Sequence, residues 1–351
     1  MNMNNNQQNS NKIPTTQEER KQYALEQAAK FLESYPDLKL DKKSLKPTLP
    51  PKLSNVDLSS KQMAKINFDP VQKSILCATI ICDSSFAIDK GYANARIQMR
   101  HSTRQTDWFM WKCFYAFPKV TPNSIVFQKP DGFQANSHSL QTSPLAAWSS
   151  LRGRSNALSR EHSMQLMHLG GEKQGEILGK WKVSSGATAE LTALHSIICG
   201  KGCKKEMKRS WLNHMNDYFL MTIWLDDGGL VGYRQGVIAF YYLTKAELNV
   251  FADYMLSVWD IKCNVIAAPS RATKTNPNPF QINIADLDNL EKLLRIIAPI
   301  VPVQSMLYKV CLYPIESSRL QRWTAELKIL VRQEWHIKID QIYSDIAQEK
   351  I

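Results

Sequence analysis

Two aspartates, Asp83 and Asp227, stand at the ends of two apolar segments that are predicted to be helices. The segments run over 70–82 and 214–226, and each passes directly into its aspartate. If the helices pack against each other through small and apolar positions, their C-terminal ends bring two carboxylates to one centre. Two carboxylates that close repel each other unless a divalent cation neutralises them. Mg²⁺, a hard ion that takes carboxylate and water ligands, fits such a pair.

The elements that position the aspartates are predicted to occur twice in the same order. Each unit reads helix–strand–helix–strand–strand–helix, which indicates a pseudo-two-fold design. After its opening helix, the first unit continues with strand 93–101, helix 106–116, strands 123–128 and 180–184, and helix 187–199. The second continues with strand 232–242, helix 244–259, strands 262–268 and 279–284, and helix 285–297.

The nonapeptides that end in the two aspartates carry a family resemblance. Residues 76–84 read LCATIICDS and residues 220–228 read LMTIWLDDG. Both resemble the LAGLIDADG motif, with the acidic residue at the eighth position. The segment 300–309, IVPVQSMLYK, is also typical of that family. Over residues 60–314 the chain is similar to the single-chain, two-repeat homing endonucleases encoded in organellar introns, and the second repeat is the stronger match.

The resemblance implies an α+β fold of two pseudo-symmetric LAGLIDADG repeats, αββαββα-like, with antiparallel saddle sheets and a central two-helix interface. The repeats would span 58–200 and 214–314, joined by a basic linker, 201–213. An insert over about 129–179 lies outside the family pattern, as do a polar tail (1–16), an N-terminal helix with a Pro/Lys-rich linker (17–57) and a helical extension (315–351). Ser84 replaces the glycine that the family has at the ninth motif position, where positive φ is expected.

The resemblance also implies a monomeric, site-specific endonuclease that cuts double-stranded DNA at a long target site and uses Mg²⁺ or Mn²⁺. Asp83 and Asp227 would bind the catalytic metals, which support in-line attack of water on a phosphodiester. Lys309, together with Lys205 or Lys204, would stabilise charge on the phosphate.

Charge points to a polyanionic partner independently of the motifs. Lys and Arg number 44 against 32 Asp and Glu, a formal net charge of +12, which is typical of nucleic-acid-binding proteins. The strand 93–101 alternates long polar donors with apolar residues, and Arg and Gln are side chains that read base edges in the major groove. The predicted nucleic-acid-binding residues are Arg96, Gln98 and Arg100 on the first saddle, Tyr233, Arg234 and Gln235 on the second, and Lys201, Lys204, Lys208 and Arg209 before the second motif.

Composition excludes some classes of protein and leaves others open. No segment approaches the roughly 20 apolar residues of a membrane-spanning helix, so no membrane partner is expected. Seven scattered cysteines favour a reducing compartment. Because the family that the chain resembles is typically encoded in organelles, the resemblance implies an organellar location, with the mitochondrion favoured over the plastid.

Two other functions compete with the nuclease. The principal alternative is a LAGLIDADG-derived RNA-binding protein without cleavage, such as an intron maturase or a component of an organellar ribosome or other ribonucleoprotein. A DNA-binding regulator on the same scaffold is a weaker alternative. The extension after residue 315 is predicted to be one long amphipathic helix that packs on the body or docks a partner.

Overall fold

A computed structural model describes residues 14–36, 47, 63, 65–129, 179–200, 204–232 and 234–349. The tail up to residue 13, most of the Pro/Lys-rich linker and nearly all of the insert predicted over 129–179 lie outside these residues. Among the described helices, none combines the length and apolar character that crossing a membrane requires.

The two predicted units are both present, and each holds one four-stranded antiparallel sheet. The first contains α2 (Pro70–Ile81), β1 (Ser84–Ala87), β2 (Arg96–Ser102), α3 (Thr106–Tyr115), β3 (Ile125–Gln128), β4 (Lys180–Ser184) and α4 (Ala189–Ile198). The second contains α6 (Asp217–Asp226), β5 (Gly228–Val231), β6 (Gln235–Ile238), α7 (Lys245–Trp259), β7 (Asn264–Ala267), β8 (Phe280–Ile284) and α8 (Leu287–Ile297). A single turn, α5 (Arg209–Leu212), lies between them.

The strand order is the same in both sheets. The first sheet runs β1-β2-β4-β3 and the second runs β5-β6-β8-β7. The expected α+β fold with two antiparallel saddle sheets is therefore confirmed. One strand in each unit was missing from the predicted pattern, because β1 and β5 are only four residues long and directly follow the motif aspartates.

Helices α2 and α6 pack against each other at the centre of the molecule. Every residue of α2 from Ser74 to Ile81 is buried, and so is α6 from Asp217 to Leu225. A helix that is apolar all round must be covered on every side, and this explains why neither segment shows a polar face. The backbone N–H of Asn216 donates to Ser74 Oγ (3.2 Å) and ties the N-terminal ends of the pair together.

The ninth motif position differs from the expectation. Gly228 does not adopt positive φ; instead, a Cβ there would lie 2.6 Å from the backbone oxygen of Trp224. Close packing, and not a left-handed backbone, requires the glycine. At the equivalent place the Ser84 hydroxyl donates to the carbonyl of Thr79 (2.9 Å), so serine is accommodated through a hydrogen bond to the preceding helix.

Both terminal helical segments pack on the body. Helix α1 (Gln17–Ser34) begins with the predicted capping box of Thr16 and Glu19, and its Tyr23 stacks on Trp181 of β4. The extension is two helices rather than the single one expected, α9 (Ser317–Leu330) and α10 (His336–Glu349). Val331 is extended between them, and this break lets Trp323 and Ile339 both reach the interior.

The extension is anchored by a buried carboxylate. Glu291 of α8 is 1% exposed and accepts from Arg319 Nε (2.7 Å) and Arg322 Nη2 (2.8 Å) of α9, as well as from Arg295 Nη2 (3.0 Å). The Trp323 indole donates to the Val310 carbonyl (3.2 Å). Of the two roles expected for the extension, packing on the body is the one that these contacts support.

Candidate active site at the helix pair

The two motif aspartates lie at the C-terminal ends of the central helices. Asp83 follows Cys82, the residue that caps α2, and its side chain is 37% exposed. Asp227 caps α6, with its backbone N–H bonded to the carbonyl of Ile223 (2.9 Å). Burial, followed by the negative charges of Asp83 and Asp226, raises the pKa of Asp227 to about 7. The two predicted carboxylates therefore lie near enough for the charge of Asp83 to raise the pKa of Asp227.

Lys309 holds the end of the second motif helix. Its ammonium is buried and donates to the carbonyls of Leu225 (2.7 Å), Gly228 (2.8 Å) and Asp226 (3.2 Å), with that of Trp224 at 3.4 Å. Burial lowers the pKa of Lys309 to about 8, opposed by the neighbouring aspartates. A cation at a helix C-terminus satisfies carbonyls that have no partner within the helix. These hydrogen bonds fix the backbone on both sides of Asp227, and they occupy the donors of the Lys309 ammonium.

Lys205 occupies the matching place in the first repeat. Its Nζ lies 3.3 Å from the Cys82 carbonyl and 3.5 Å from that of Ile81, at the end of α2. It also lies over the ring of Tyr242, whose hydroxyl donates to the same Ile81 carbonyl. Burial lowers the pKa of Lys205. Of the two lysines left open by the sequence, Lys205 is the counterpart of Lys309, whereas Lys204 is exposed.

A buried polar network crosses from the first repeat to the second beside the aspartates. Asp226 has a fully buried side chain, and its Oδ1 accepts from Lys112 Nζ (2.6 Å) and from Trp108 Nε1 (2.6 Å). Lys112 Nζ also donates to His101 Nε2 (2.8 Å). Because Nε2 accepts, the proton of this imidazole is assigned to Nδ1, which lies 2.9 Å from Gln105 Oε1. Burial and the charge of Lys112 lower the pKa of His101, which favours the same neutral form.

Sequence reasoning missed this network, although one signal was present. Asp226 is the seventh residue of the second motif, where Cys82 stands in the first, so the pair of acidic residues was visible in the sequence. Lys112 and His101 gave no such signal, because they stand in a helix and a strand whose other residues fit an ordinary apolar pattern. Their meeting depends on how α3 and β2 pack against α6.

The donor atoms around the aspartates suit a hard divalent cation. One ligand atom each from Asp83, His101 and Asp226 lies within 4.8 Å of the others, and His101 Nε2 is 3.5 Å from Asp83 Oδ2. Asp226 Oδ2 is buried without a hydrogen-bond partner. The carboxylate oxygens of Asp83 and Asp226 are of the kind that Mg²⁺ and Mn²⁺ select, whereas Asp227 is not part of this group.

The predicted saddle residues that fall within the described strands lie on the outer faces of the sheets. In β2, Arg96, Gln98 and Arg100 point away from the core while Ile97 and Met99 are buried. Arg96 is paired with Asp89 (3.0 Å). In the second sheet Gln235 is exposed and Arg234 is exposed in the turn before it.

Two of the basic residues predicted in the linker, Lys208 and Arg209, contact different parts of the protein. Lys208 pairs with Glu206 (2.5 Å), and Arg209 donates to Asn213 (2.7 Å) and to Ser257 of α7 (2.7 Å), which joins the linker to the second repeat. These contacts give Arg209 a packing role at this place. Lys201 and Tyr233 lie outside the described residues.

The two halves of the molecule share one arrangement of helices and strands. Two buried helices lie side by side, each ends in an aspartate, and each is followed by a four-stranded antiparallel sheet of the same strand order. This is the arrangement that the LAGLIDADG resemblance of the sequence implies. Lys205 and Lys309 extend the pseudo-symmetry to the side chains that hold the two motif ends.

Comparison with known proteins finds similarity at the level of solved structures. No family model matches the sequence, and no curated protein matches it. The chain is similar to the homing endonuclease I-WcaI bound to its DNA recognition sequence, with 15% identity and a TM-score of 0.46, over 74% of this chain and 95% of that one. It is also similar to the N-terminal LAGLIDADG domain of WhiA, with 10% identity and a TM-score of 0.34, over 78% of this chain and 92% of that one.

Proposed function

We propose that this protein is a site-specific endonuclease that hydrolyses both strands of a DNA duplex with the help of a divalent cation. The observation that carries the proposal is that the two motif aspartates, Asp83 and Asp227, stand at the ends of the buried helix pair, beside the place where ligand atoms of Asp83 and Asp226 meet. A structural helix end has no need of a second carboxylate whose charge opposes the ionisation of Asp227. A cation and a phosphate are the partners that make such a centre favourable.

Each part of the centre has a separate task in this proposal. Asp83 and Asp227 hold the metal, and Asp226 supports them from the interior. Mg²⁺ or Mn²⁺, when bound, supplies charge stabilisation to the scissile phosphate and lowers the pKa of a water. Lys309 and Lys205 act on the backbone of the two motifs, so they are positioning residues that keep the carboxylates in place. The exposure of Asp83 leaves the centre open on the side from which a phosphate approaches.

Charge and symmetry support duplex DNA as the substrate. The net charge of +12 favours a polyanion, and two sheets related by a pseudo-two-fold axis match the two-fold relation between the strands of a duplex. A single chain supplies both motifs, so we propose that it acts as a monomer. Action inside an organelle, the mitochondrion in particular, is part of the proposal that rests on the family resemblance alone.

A cleavage assay tests the proposal. The protein is incubated with a randomised duplex library and Mg²⁺, and the ends produced are sequenced, for the unaltered chain and for Asp83→Asn and Asp227→Asn. Asp253→Asn is the matched control, because Asp253 is exposed on α7. We expect double-strand cuts at one long site, lost in both motif variants and kept in the control.

The RNA-binding alternative makes a different prediction in the same experiment. A maturase or ribonucleoprotein component on this scaffold would leave the library uncut and would bind structured RNA equally well in all four forms. That outcome would refute the endonuclease proposal.

A further inference from the structure

The outer face of the first sheet is cationic. The residues on this face alternate with buried ones along each strand, and the register places Arg100, Lys182 and Val126 in one row and Ser102, Lys180 and Gln128 in the next. A third row holds Ser85, Gln98 and Ser184. Together with Arg96, which pairs with Asp89, four side chains of this face carry positive charge.

The outer face of the second sheet carries no ionisable side chain among the described residues. One row across this sheet is Gly229, Val237, Asn283 and Asn264. The remaining outward positions are Val231, Gln235, Gln281 and Ile266. Four amides and three β-branched apolar side chains therefore occupy the surface on which the first sheet has four cations. The described cationic side chains near this sheet include Arg234, in the turn before β6, and Arg271, which lies over the ring of Tyr241.

An amide on the second face is without a partner. The side-chain oxygen of Asn283, in the middle of its row, is buried from solvent and accepts no hydrogen bond. A buried amide oxygen without a hydrogen bond is unfavourable, and a donor supplied by a bound molecule would relieve this cost.

The cationic side chains of the first face and the amide and apolar side chains of the second face suit different base pairs. Arg and Lys contact phosphates and the O6 and N7 atoms of guanine, whereas Asn and Gln pair with N6 and N7 of adenine. Apolar side chains such as Val237 and Ile266 suit the methyl group of thymine. Only the cationic set releases counterions from the duplex, so only that set makes binding depend on salt concentration.

We infer that the two halves of the target site differ in composition and are read in different ways. The half that faces the first sheet contains guanine and supplies most of the phosphate contacts and of the salt dependence. The half that faces the second sheet is rich in A·T pairs and is read by amide and apolar side chains. This inference rests on the proposed function, because it assigns the two faces to a duplex.

Selection of bound duplexes from a randomised library tests the inference, with Ca²⁺ in place of Mg²⁺ so that binding is measured without cutting. Four variants are compared: Arg100→Gln and Lys182→Gln on the first face, Gln281→Ala on the second, and Lys292→Gln as a control. Lys292 is exposed on α8 and paired with Asp260, so its replacement removes the same charge away from both faces.

The expected results separate the two faces. Arg100→Gln loses the preference for guanine in one half of the site only. Gln281→Ala loses about 5- to 150-fold of the preference for adenine in the other half, and its salt slope stays unchanged. Lys182→Gln lowers the slope of log K against log salt by about 0.9, whereas Lys292→Gln leaves it unchanged.

Two outcomes overturn the inference, and they are distinguishable. A selected site of the same composition in both halves, or a Gln281→Ala variant that changes the guanine-containing half, refutes the assignment of the faces while duplex recognition stands. Failure of the unaltered protein to enrich any duplex refutes the assignment and the proposed function together.

Discussion

The ammonium of Lys112, from the first repeat, lies 2.6 Å from Oδ1 of Asp226, from the second, and both side chains are fully buried. The pair joins the two halves beside the carboxylate centre. It breaks the pseudo-symmetry, because the residue equivalent to Asp226 in the first motif is Cys82. The first prediction concerns this pair.

Lys112→Met is expected to lower the free energy of unfolding by about 3–5 kcal/mol, because it leaves Asp226 buried without its cation. Asp226→Leu leaves the Lys112 ammonium buried without its carboxylate, and it is expected to lower the free energy of unfolding by a similar amount. The double variant removes both charges, so its loss of unfolding free energy should be much smaller than the sum of the losses of the two single variants. Urea denaturation of the three variants gives the coupling. Additive losses would show that the two charges do not stabilise each other.

The second prediction compares the two lysines that hold the motif ends. Lys309→Met removes a donor that reaches several backbone carbonyls and is expected to lower the free energy of unfolding by about 2–4 kcal/mol. Lys205→Met leaves fewer carbonyls without a partner, at longer distances, and should lose about 1 kcal/mol. Lys204→Met, next to it and exposed, is the control and should change stability by less than about 0.5 kcal/mol. Equal losses for Lys204 and Lys309 would contradict the positioning role.

Much of this centre was predictable from the sequence, and the reasons are specific. Asp83 and Asp227 stand at the ends of contiguous apolar segments that predict helices, and the family resemblance of segment 300–309 pointed to Lys309. The alternation of Arg96, Gln98 and Arg100 with buried residues likewise follows from the pleat of a strand. The partnership of Lys112 with Asp226 depends instead on long-range packing between repeats, and no local pattern encodes it. The break at Val331 was missed because both helices of the extension continue the same apolar spacing.

The third prediction is a pH dependence that belongs to Asp227. Its pKa of about 7 in the folded protein lies above the ordinary value of 3.8, so the folded state binds a proton more tightly than the unfolded state does. The free energy of unfolding should therefore fall as pH rises from about 4 to about 7, and this loss should level off above that range. Urea denaturation across this range should show a smaller slope in Asp227→Asn than in the unaltered chain. The Asp253→Asn control should keep the full slope; an equal slope in all three proteins would exclude Asp227 as the cause.

The fourth prediction concerns the atoms that bind the cation. Lys112 Nζ occupies the lone pair of His101 Nε2 (2.8 Å), so the metal should have oxygen ligands only. Pulsed electron paramagnetic resonance of the Mn²⁺-loaded protein should show no coupling to a nitrogen nucleus. In Lys112→Met the lone pair becomes available 3.5 Å from Asp83 Oδ2, and nitrogen coupling should appear, to be abolished again by adding His101→Gln. Nitrogen coupling in the unaltered protein would show that the metal displaces Lys112.

Binding of Mn²⁺ tests most directly the claim that Asp83 and Asp227 form one cation centre. Free Mn²⁺ is measured by electron paramagnetic resonance during titration of the unaltered chain, Asp83→Asn, Asp227→Asn and Asp253→Asn at pH 8, where Asp227 is ionised. Each motif variant is predicted to lose at least about tenfold in affinity, equivalent to about 1.4 kcal/mol, and Asp253→Asn to lose none. Unchanged affinity in both motif variants would contradict the shared centre.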